Sequence, residues 1–267
     1  MRIEDYYFEE NEKPLDKVPE DGGFTAIFRR IAVIGDSLSS GEFEAVISDT
    51  EREYHDCYEH SWGQYIGRTI GAEILNFSRG GMTAREYCQT FAKENGFWDK
   101  DKAADAYIIA LGINDKANYN HDIGSTDDIK DDWRENGDTF IGNYARIIQR
   151  YKEISPKAKF FIVIPPRGIP YSDEPANTRM KALIKSLHVI EEFFPDVYAI
   201  DLHTYAPEYD QRFMDAFFMG GHMSAQGYLI TAKMIMAYID FIIRKNSADF
   251  KEAGFIRTPW KYDMRNM

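Results

Sequence analysis

A serine at the end of an apolar run is the first residue of this chain that could do chemistry. Residues 31–34 are all apolar, and Gly35, Asp36 and Ser37 follow directly. Four consecutive apolar residues are typical of a buried strand, and a turn after it would place the Ser37 hydroxyl at the carboxyl edge of a sheet, where open α/β sheets bind ligands. The sequence therefore makes Ser37 a candidate nucleophile, although serines in such turns more often cap helices.

Three later segments supply the other groups that a serine nucleophile requires. Residues 76–83 place Gly80 and Gly81 after an apolar strand end, where backbone N–H groups can point at a developing negative charge. A second apolar strand ends in a Gly-x-Asn sequence, and its Asn114 offers a side-chain amide as donor. His222 stands just before a long apolar-periodic helix, where it could act as a general base. The order along the chain is nucleophile, donor, donor and base.

These segments resemble the motif blocks of the SGNH hydrolases, also called GDSL esterases and lipases. The resemblance covers residues 31–228, most of the chain, and four blocks in the same order are far more specific than any one of them. It implies a three-layer α/β/α sandwich with a flavodoxin-like parallel sheet of about five strands. It also implies hydrolysis of acyl esters.

The same resemblance assigns roles to individual residues. Ser37 would be the nucleophile and His222 the base. The oxyanion hole would be formed by the Ser37 N–H, the Gly81 N–H and the Asn114 amide. Gly81 is assigned, rather than the glycine before it, because it stands two residues before Thr83, as in the Gly-x-Thr pattern of the family.

The chain departs from the family at the residue that normally orients the histidine. Most members carry an aspartate three residues before the histidine, and here that position is Met219. Asp215, seven residues before His222, is a candidate acid. Alternatively, a backbone carbonyl near Met219 or Gly220 accepts the imidazole N–H in a Ser-His dyad, or a carboxylate from elsewhere replaces the aspartate. A further alternative is that activity is lost, since an unreplaced acid can cost about four orders of magnitude in turnover. We favour the dyad, because the other three blocks are intact.

The chemistry follows if these groups meet. His222 would take the Ser37 proton as the hydroxyl attacks an ester carbonyl, and the donors would bind the tetrahedral oxyanion, each contributing roughly 3 kcal/mol. Water would then repeat the cycle on the acyl-enzyme. None of these steps requires a metal or an organic cofactor, so we expect none.

Strand and helix signals alternate along the chain around these residues. This alternation predicts a parallel sheet covered by helices on both faces. Residues 1–23 are acidic and turn-rich, and we interpret them as an N-terminal extension whose aromatic side chains could fasten it to one domain over residues 24–267. Ser61 is predicted to cap the helix that follows it. The predicted strands are 31–34, 73–77, 106–111, 159–164 and 197–200, and the predicted helices begin near 61, 84, 139, 178 and 225.

Composition excludes several partners. The net charge of -12 argues against nucleic acid and anionic membranes as partners, because both require basic patches, and it favours neutral or cationic substrates.

The two cysteines, Cys57 and Cys88, are too few for a disulfide scaffold and are expected to be reduced. The N-terminus lacks the apolar core of a signal peptide and no apolar run approaches 18 residues, so we expect no membrane span and a cytoplasmic location. The oligomeric state stays open.

Two polar segments border the predicted site. Residues 41–60 form a long insertion after the nucleophile, and residues 55–60 within it hold several potential metal ligands, although their spacing favours a solvated loop. Residues 118–137 are an acidic loop after Asn114, interpreted as a solvated loop with a lid as the alternative. Asp36 and Asp115, next to the motif residues, are expected to hydrogen-bond the turn backbone.

The sequence therefore predicts a serine esterase that hydrolyses carboxylic esters through an acyl-enzyme, with short acyl groups such as acetyl on carbohydrate as the favoured substrates. A lipase or thioesterase with the same chemistry is the nearest alternative. An inactive module that binds an acylated glycan is a second alternative, and a metal-dependent hydrolase using residues 55–60 is a third. The expected partner is a small-molecule or glycan ester.

Overall fold

Five parallel strands form the centre of the fold. The computed structural model describes residues 3–168 and 175–262. The strand order β4-β1-β5-β6-β7 corresponds to 2-1-3-4-5 among these five strands, which is the flavodoxin-like order. This confirms the predicted fold class. The strands are β1 (Arg30–Gly35), β4 (Glu73–Ser78), β5 (Ala106–Ala110), β6 (Lys159–Ile164) and β7 (Val197–Asp201), and two hairpins add β2 (Glu42–Val46), β3 (Arg52–Asp56), β8 (Phe218–Met219) and β9 (His222–Met223).

Helices cover both faces of the sheet, as the alternating pattern predicted. The α-helices are α1 (Ser37–Ser40), α2 (Trp62–Ile70), α3 (Ala84–Glu86), α4 (Ala92–Glu94), α5 (Phe140–Ile154), α6 (Ala176–Phe193), α7 (Leu202–Tyr205), α8 (Gln211–Phe217) and α9 (Ala225–Lys245). A π-helical turn at Tyr87–Phe91 joins α3 to α4, and a second one spans Asn114–Asn118. Short 3-10 helices lie at Ile3–Tyr6, Gly23–Ile27, Tyr58–His60, Lys100–Lys102, Thr126–Asp128, Trp133–Glu135, Ser247–Phe250 and Ala253–Phe255.

Two apolar cores hold the three layers together, one on each face of the sheet. The core on one face packs the sheet against α5 and α6, and the other packs it against α2 and α9. By length and composition α9 could cross a membrane, but 78% of its most apolar window is buried within the protein. A core helix of a globular domain passes the same test, so α9 is weak evidence for a membrane span.

Side-chain caps explain where the long helices begin. Ser61 accepts the Gln64 N–H at the start of α2, as the sequence predicted, with an N···O distance of 3.2 Å. Ser224 accepts the Gly227 N–H at 3.3 Å and thereby begins α9 directly after His222. Such caps satisfy N–H groups that have no partner within the helix, and each typically stabilises a helix by about 1 kcal/mol. The cap at Ser224 fixes the point at which the chain carrying His222 enters its helix.

Two regions contain structure that the sequence did not predict. The insertion 41–60 forms an antiparallel hairpin of β2 and β3, and the chain between β7 and α9 folds into α7, α8 and the small hairpin of β8 and β9. Elements of two to seven residues are too short to show a clear hydrophobic period. Both hairpins lie next to the predicted site.

The N-terminal segment is fastened to α9 by a buried ion pair and by aromatic contacts. The Arg244 guanidinium, whose side chain is 1% exposed, donates to the Glu12 carboxylate at 2.7 Å and to the Asp240 carboxylate at 2.8 Å. Phe8 packs edge-on against Phe241, with ring centroids 5.6 Å apart. These contacts agree with the expectation that aromatic residues would attach this segment to the body.

We predict that Glu12→Ala destabilises the protein by about 3 kcal/mol, because it removes a partner from the buried Arg244 charge. Thermal or urea unfolding measures the change. Glu9→Ala is the matched control, since Glu9 is exposed and its carboxylate contacts the same segment's Lys17 at 3.1 Å. If Glu12→Ala costs no more than Glu9→Ala, the ion pair with Arg244 does not stabilise the fold.

Candidate active site

Ser37 stands at the carboxyl end of β1, as predicted, and is the first residue of α1. The Asp36 carboxylate accepts the Leu38 N–H at 3.2 Å and so caps this short helix. A Cβ on Gly35 would lie 2.1 Å from Ser39 Oγ, so glycine is required there for α1 to fold back over the strand end. The Ser37 side chain is partly exposed and its hydroxyl makes no hydrogen bond to any residue in the described ranges.

The loop after β4 carries the predicted glycine donor. Gly81 has φ 70°, a left-handed conformation that favours glycine, and the space beside its Cα is open. Met82 N–H closes the turn on the Arg79 carbonyl at 3.2 Å. At Gly80, by contrast, a Cβ would lie 2.2 Å from the Glu42 carboxylate. The glycine pair therefore exposes one backbone donor and makes room for an acidic side chain next to it.

Asn114 connects the nucleophile turn to the glycine loop. Its Nδ2 atom lies 3.2 Å from the Met82 carbonyl oxygen and 3.4 Å from Asp36 Oδ2, while its Oδ1 accepts the Asn118 amide at 2.5 Å. Asp115 next to it accepts the Ala84 N–H at 2.9 Å. Asp36 thus bonds the backbone of its own turn, as expected, whereas Asp115 bonds the backbone at the start of α3, after the glycine loop. The Asn114 amide contacts Asp36, the residue before Ser37.

His222 lies on β9, which contacts α1 and so brings the histidine segment to the serine segment. Its side chain is 16% exposed. The Nε2 atom lies 2.9 Å from Glu42 Oε1, and the Nδ1 atom lies 3.7 Å from Glu44 Oε2. Tyr54 packs edge-on against the imidazole, with ring centroids 5.4 Å apart. Both ring nitrogens of the candidate base therefore face glutamates of the β2–β3 hairpin.

The two orienting groups expected near the histidine are not found there. His222 Nδ1 is buried without a hydrogen-bond partner among the described residues, so the preferred dyad with a carbonyl of Met219 or Gly220 is wrong. Asp215 is exposed on α8, where its carboxylate accepts the Gln211 amide at 2.6 Å, and the structure does not bring it to the imidazole. Two alternatives remain, lost activity and a carboxylate from elsewhere, and the contacts of His222 with Glu42 and Glu44 match the second.

Sequence reasoning missed Glu42 and Glu44, because the segment 41–60 was interpreted as a polar loop. Their spacing was the available signal: residues two apart on a strand share a face, so a hairpin would direct both carboxylates to the same side. His55 pairs instead with Glu53 on the exposed part of β3. No group of three or more His, Cys, Asp or Glu residues in the described ranges is placed to hold a metal ion.

Burial raises the pKa of three acidic groups near Ser37. Burial raises the pKa of Asp36 to about 7, and the nearby negative charges of Asp115 and Glu42 add to this. Burial also raises the pKa of Glu42, against the opposing effect of His222 and together with the charge of Asp56. The pKa of Asp115 is raised by burial as well. Burial therefore favours the neutral form of all three carboxyl groups.

A small, mainly apolar cavity of about 70 Å³ lies beside the nucleophile turn. Leu38, the residue after Ser37, and Met223, the residue after His222, both line it. Its other walls come from the carboxyl ends of β5 and β6 and from the helices around them, and they include Trp62, Leu111, Ile113, Val163 and Pro165. Ser37 and His222 themselves do not line the cavity, which adjoins the turn of Ser37 through Asp36, Leu38 and Ser39.

The start of the 118–137 loop borders a second, shallower pocket of about 250 Å³ on the surface. Tyr119 and His121 of this loop stack with ring centroids 5.6 Å apart, and His121 Nδ1 lies 3.4 Å from the Asp115 carboxylate. Thr83, two residues after Gly81, lines the same pocket. This part of the loop therefore lies at the rim of the candidate site.

We predict that Asp36→Asn stabilises the protein relative to wild type more at pH 8.5 than at pH 5.5. Because the folded-state pKa of Asp36 (about 7) lies above its ordinary value of 3.8, its contribution to stability is full at low pH and is lost as pH rises through 7. The stability difference should grow by about 2 kcal/mol between these pH values. Urea unfolding of both proteins at each pH measures it, and a pH-independent difference would contradict the assignment.

Comparisons with known proteins agree with this geometry. Residues 33–230 match the model of the GDSL-like Lipase/Acylhydrolase family. A family two carbohydrate esterase from Clostridium thermocellum, solved with cellohexaose, is 16% identical with a TM-score of 0.55, over 83% of this chain and 65% of that chain. A carbohydrate esterase family 2 enzyme with a carbohydrate binding domain, from Corynascus thermopiles (Myceliophthora fergusii), is 14% identical with a TM-score of 0.54, over 85% of this chain and 67% of that chain.

A possible lipase from Chitinophaga pinensis is 15% identical with a TM-score of 0.52, over 82% of this chain and 98% of that chain. A comparison with curated proteins gives no match. At these identities the solved structures support the fold, whereas the family match covers most of the chain and includes Ser37, Gly81, Asn114 and His222. The protein therefore belongs to the GDSL-like lipase/acylhydrolase family and is a carboxylic ester hydrolase.

Proposed function

We propose that this hydrolase is a serine esterase that removes short acyl groups, such as acetyl, from carbohydrate through an acyl-enzyme. One observation carries the proposal: the Asn114 amide contacts both Asp36 and the Met82 carbonyl. These contacts gather the turn of Ser37, the glycine loop and the asparagine at one point on the sheet edge. An ester carbonyl held there would meet a nucleophile and several hydrogen-bond donors together.

The reaction would begin when His222 Nε2 accepts the Ser37 proton and the serine oxygen attacks the ester carbon. For this step the imidazole exchanges its contact with Glu42 for one with the serine hydroxyl. The oxyanion would be bound by the Ser37 N–H, the Gly81 N–H and the Asn114 amide, each contributing roughly 3 kcal/mol. For this the Asn114 amide exchanges its longer contact, the one with Asp36 at 3.4 Å, for the oxyanion. The alcohol leaves with the proton from His222, and water then releases the acyl group in the same manner.

The cavity beside Ser37 supports a short acyl chain. Its volume of about 70 Å³ is well below the ~300–1,000 Å³ of pockets that hold drug-sized ligands. An acetyl or propionyl chain would fit, whereas an octanoyl chain would have to lie outside or displace core side chains. The size of this cavity is the reason to prefer an esterase for short acyl groups over a lipase.

The surface pocket at Tyr119 and His121 supports a polar alcohol such as a sugar. Exposed aromatic rings can pack against the apolar face of a sugar ring while polar neighbours bond its hydroxyls. Two of the structural neighbours described above are carbohydrate esterases. We therefore infer a carbohydrate on the leaving-group side, with the acyl group in the apolar cavity.

We predict that wild-type protein hydrolyses p-nitrophenyl acetate faster than the butyrate and far faster than the octanoate. Ser37→Ala and His222→Ala should each lower kcat by at least about 1,000-fold, because the nucleophile and its base act as a unit. EDTA should have no effect. Activity that survives Ser37→Ala, or that is lost with EDTA, would contradict the serine mechanism. A wild-type protein that is inactive on every ester would favour the alternative of an acyl-glycan binding module.

We predict that Ile113→Ala raises the ratio of butyrate to acetate kcat/KM by about tenfold, because it lengthens the acyl cavity by more than a methylene group. Ile123→Ala is the matched control, since Ile123 is a partly buried isoleucine of the same core that does not line the cavity. Steady-state kinetics on both esters measure the ratio. An equal ratio in the two variants would show that this cavity does not hold the acyl chain.

A further inference from the structure

The β2–β3 hairpin (residues 42–56), which follows the nucleophile directly, surrounds the imidazole of His222. Glu42 and Glu44 lie two residues apart on β2, and both carboxylates contact the ring. Tyr54 on the paired strand packs against its edge. The Tyr228 hydroxyl donates to the Glu42 carbonyl at 2.6 Å and ties β2 to the first turn of α9. The hairpin is thus attached to the segment that carries the histidine.

The carboxylate of Glu44 is fixed in place independently of the imidazole. Its Oε2 atom accepts the Gly221 N–H at 2.8 Å, and the Arg52 Nε atom lies 3.5 Å from its Oε1. Gly220 has φ 69°, and a Cβ there would lie 2.5 Å from the same carboxylate. The glycine pair before His222 therefore forms a space that Glu44 fills, and the Glu44 side chain is only 13% exposed.

The ring nitrogen that faces Glu44 is otherwise without a partner. His222 Nδ1 is buried and makes no hydrogen bond within the described ranges, and a buried polar atom without a partner is costly. Its distance of 3.7 Å from Glu44 Oε2 exceeds a hydrogen bond by less than 1 Å. A small rotation of either side chain would close that gap. Carboxylate contacts of catalytic histidines are often long in the absence of substrate and tighten during the reaction.

We propose that Glu44 is the positioning residue that replaces the aspartate missing at Met219, so that the triad is Ser37, His222 and Glu44. The inference rests on the proposed function and deepens it. In the proton transfer, the Ser37 proton moves to Nε2, while the Nδ1–H donates to Glu44 and stays on the ring. The carboxylate holds the tautomer in which Nε2 is free to accept a proton, and it stabilises the imidazolium that forms.

Glu42 does not fulfil this role, because it contacts the other ring nitrogen. Its Oε1 atom lies 2.9 Å from Nε2, the atom that must accept the serine proton. A carboxylate at that position competes with Ser37 for the base and does not orient it. In this proposal Glu44 therefore orients the imidazole, whereas Glu42 competes with Ser37 for its Nε2 atom, although the two glutamates lie two residues apart on one strand.

Glu44→Gln tests the proposal, because glutamine keeps the shape and can still accept the Gly221 N–H but lacks the charge. We expect kcat on p-nitrophenyl acetate to fall by at least about 100-fold with little change in KM. The acid limb of the kcat/KM profile should move to lower pH, because loss of the negative charge destabilises the imidazolium. Glu44→Asp should recover part of the kcat, and Glu53→Gln, an exposed glutamate of the same hairpin, should behave as wild type.

Several outcomes would overturn the assignment. A Glu44→Gln enzyme with kcat within about threefold of wild type, beside an inactive Ser37→Ala enzyme, would leave the serine mechanism standing and remove Glu44 from it. A lower kcat with an unmoved pH profile would reduce Glu44 to structural support of the hairpin. Activity that persists in Ser37→Ala would instead refute the proposed function itself. Thermal unfolding of each variant confirms that the compared proteins are folded.

Discussion

The amide of Asn114 makes the contacts on which the arrangement of the site depends. Three loops leave the carboxyl ends of β1, β4 and β5, which lie side by side because the strands are parallel and adjacent. The amide joins them by contacting Asp36 in the first loop and the Met82 carbonyl in the second. Asp115 adds a bond to the Ala84 N–H. These buried polar contacts help to fix the three loops relative to one another.

This arrangement places several carboxyl groups close to Ser37 and to one another. Asp36, Asp115 and Glu42 are buried or partly buried, and the pKa of each is raised because the charged form loses its hydration. The ion pair with His222 compensates part of this cost at Glu42. Under the proposed serine mechanism, these carboxyl groups would favour a neutral ester and would stabilise the transient imidazolium.

In the proposed triad, the β2–β3 hairpin supplies the carboxylate that the histidine motif lacks. The family match covers most of the chain, yet the position that usually carries the aspartate holds Met219, which is exposed in β8. The hairpin brings Glu44 to the opposite side of the same turn, where Gly220 and Gly221 leave space for its carboxylate. A carboxylate can approach the imidazole from any element, because geometry alone decides whether it orients the ring.

The sequence by itself determined the fold class, the five central strands and the order of the four motif blocks, since long apolar runs and glycine-rich turns are local signals that need no partner. It also determined the cap at Ser61 and the bond of Asp36 to the Leu38 N–H, because these join residues two or three apart in the chain. The bond of Asp115 to the Ala84 N–H joins two loops and was decided by the tertiary structure. Only the tertiary structure decided the surroundings of His222. The contacts of Glu42 and Glu44 with its ring join residues about 180 positions apart in the chain. They depend on a hairpin that is too short to show a hydrophobic period and on how this hairpin packs against β9. Asp215, nearer in sequence, faces away because the register of α8 directs it to the exposed side of the helix.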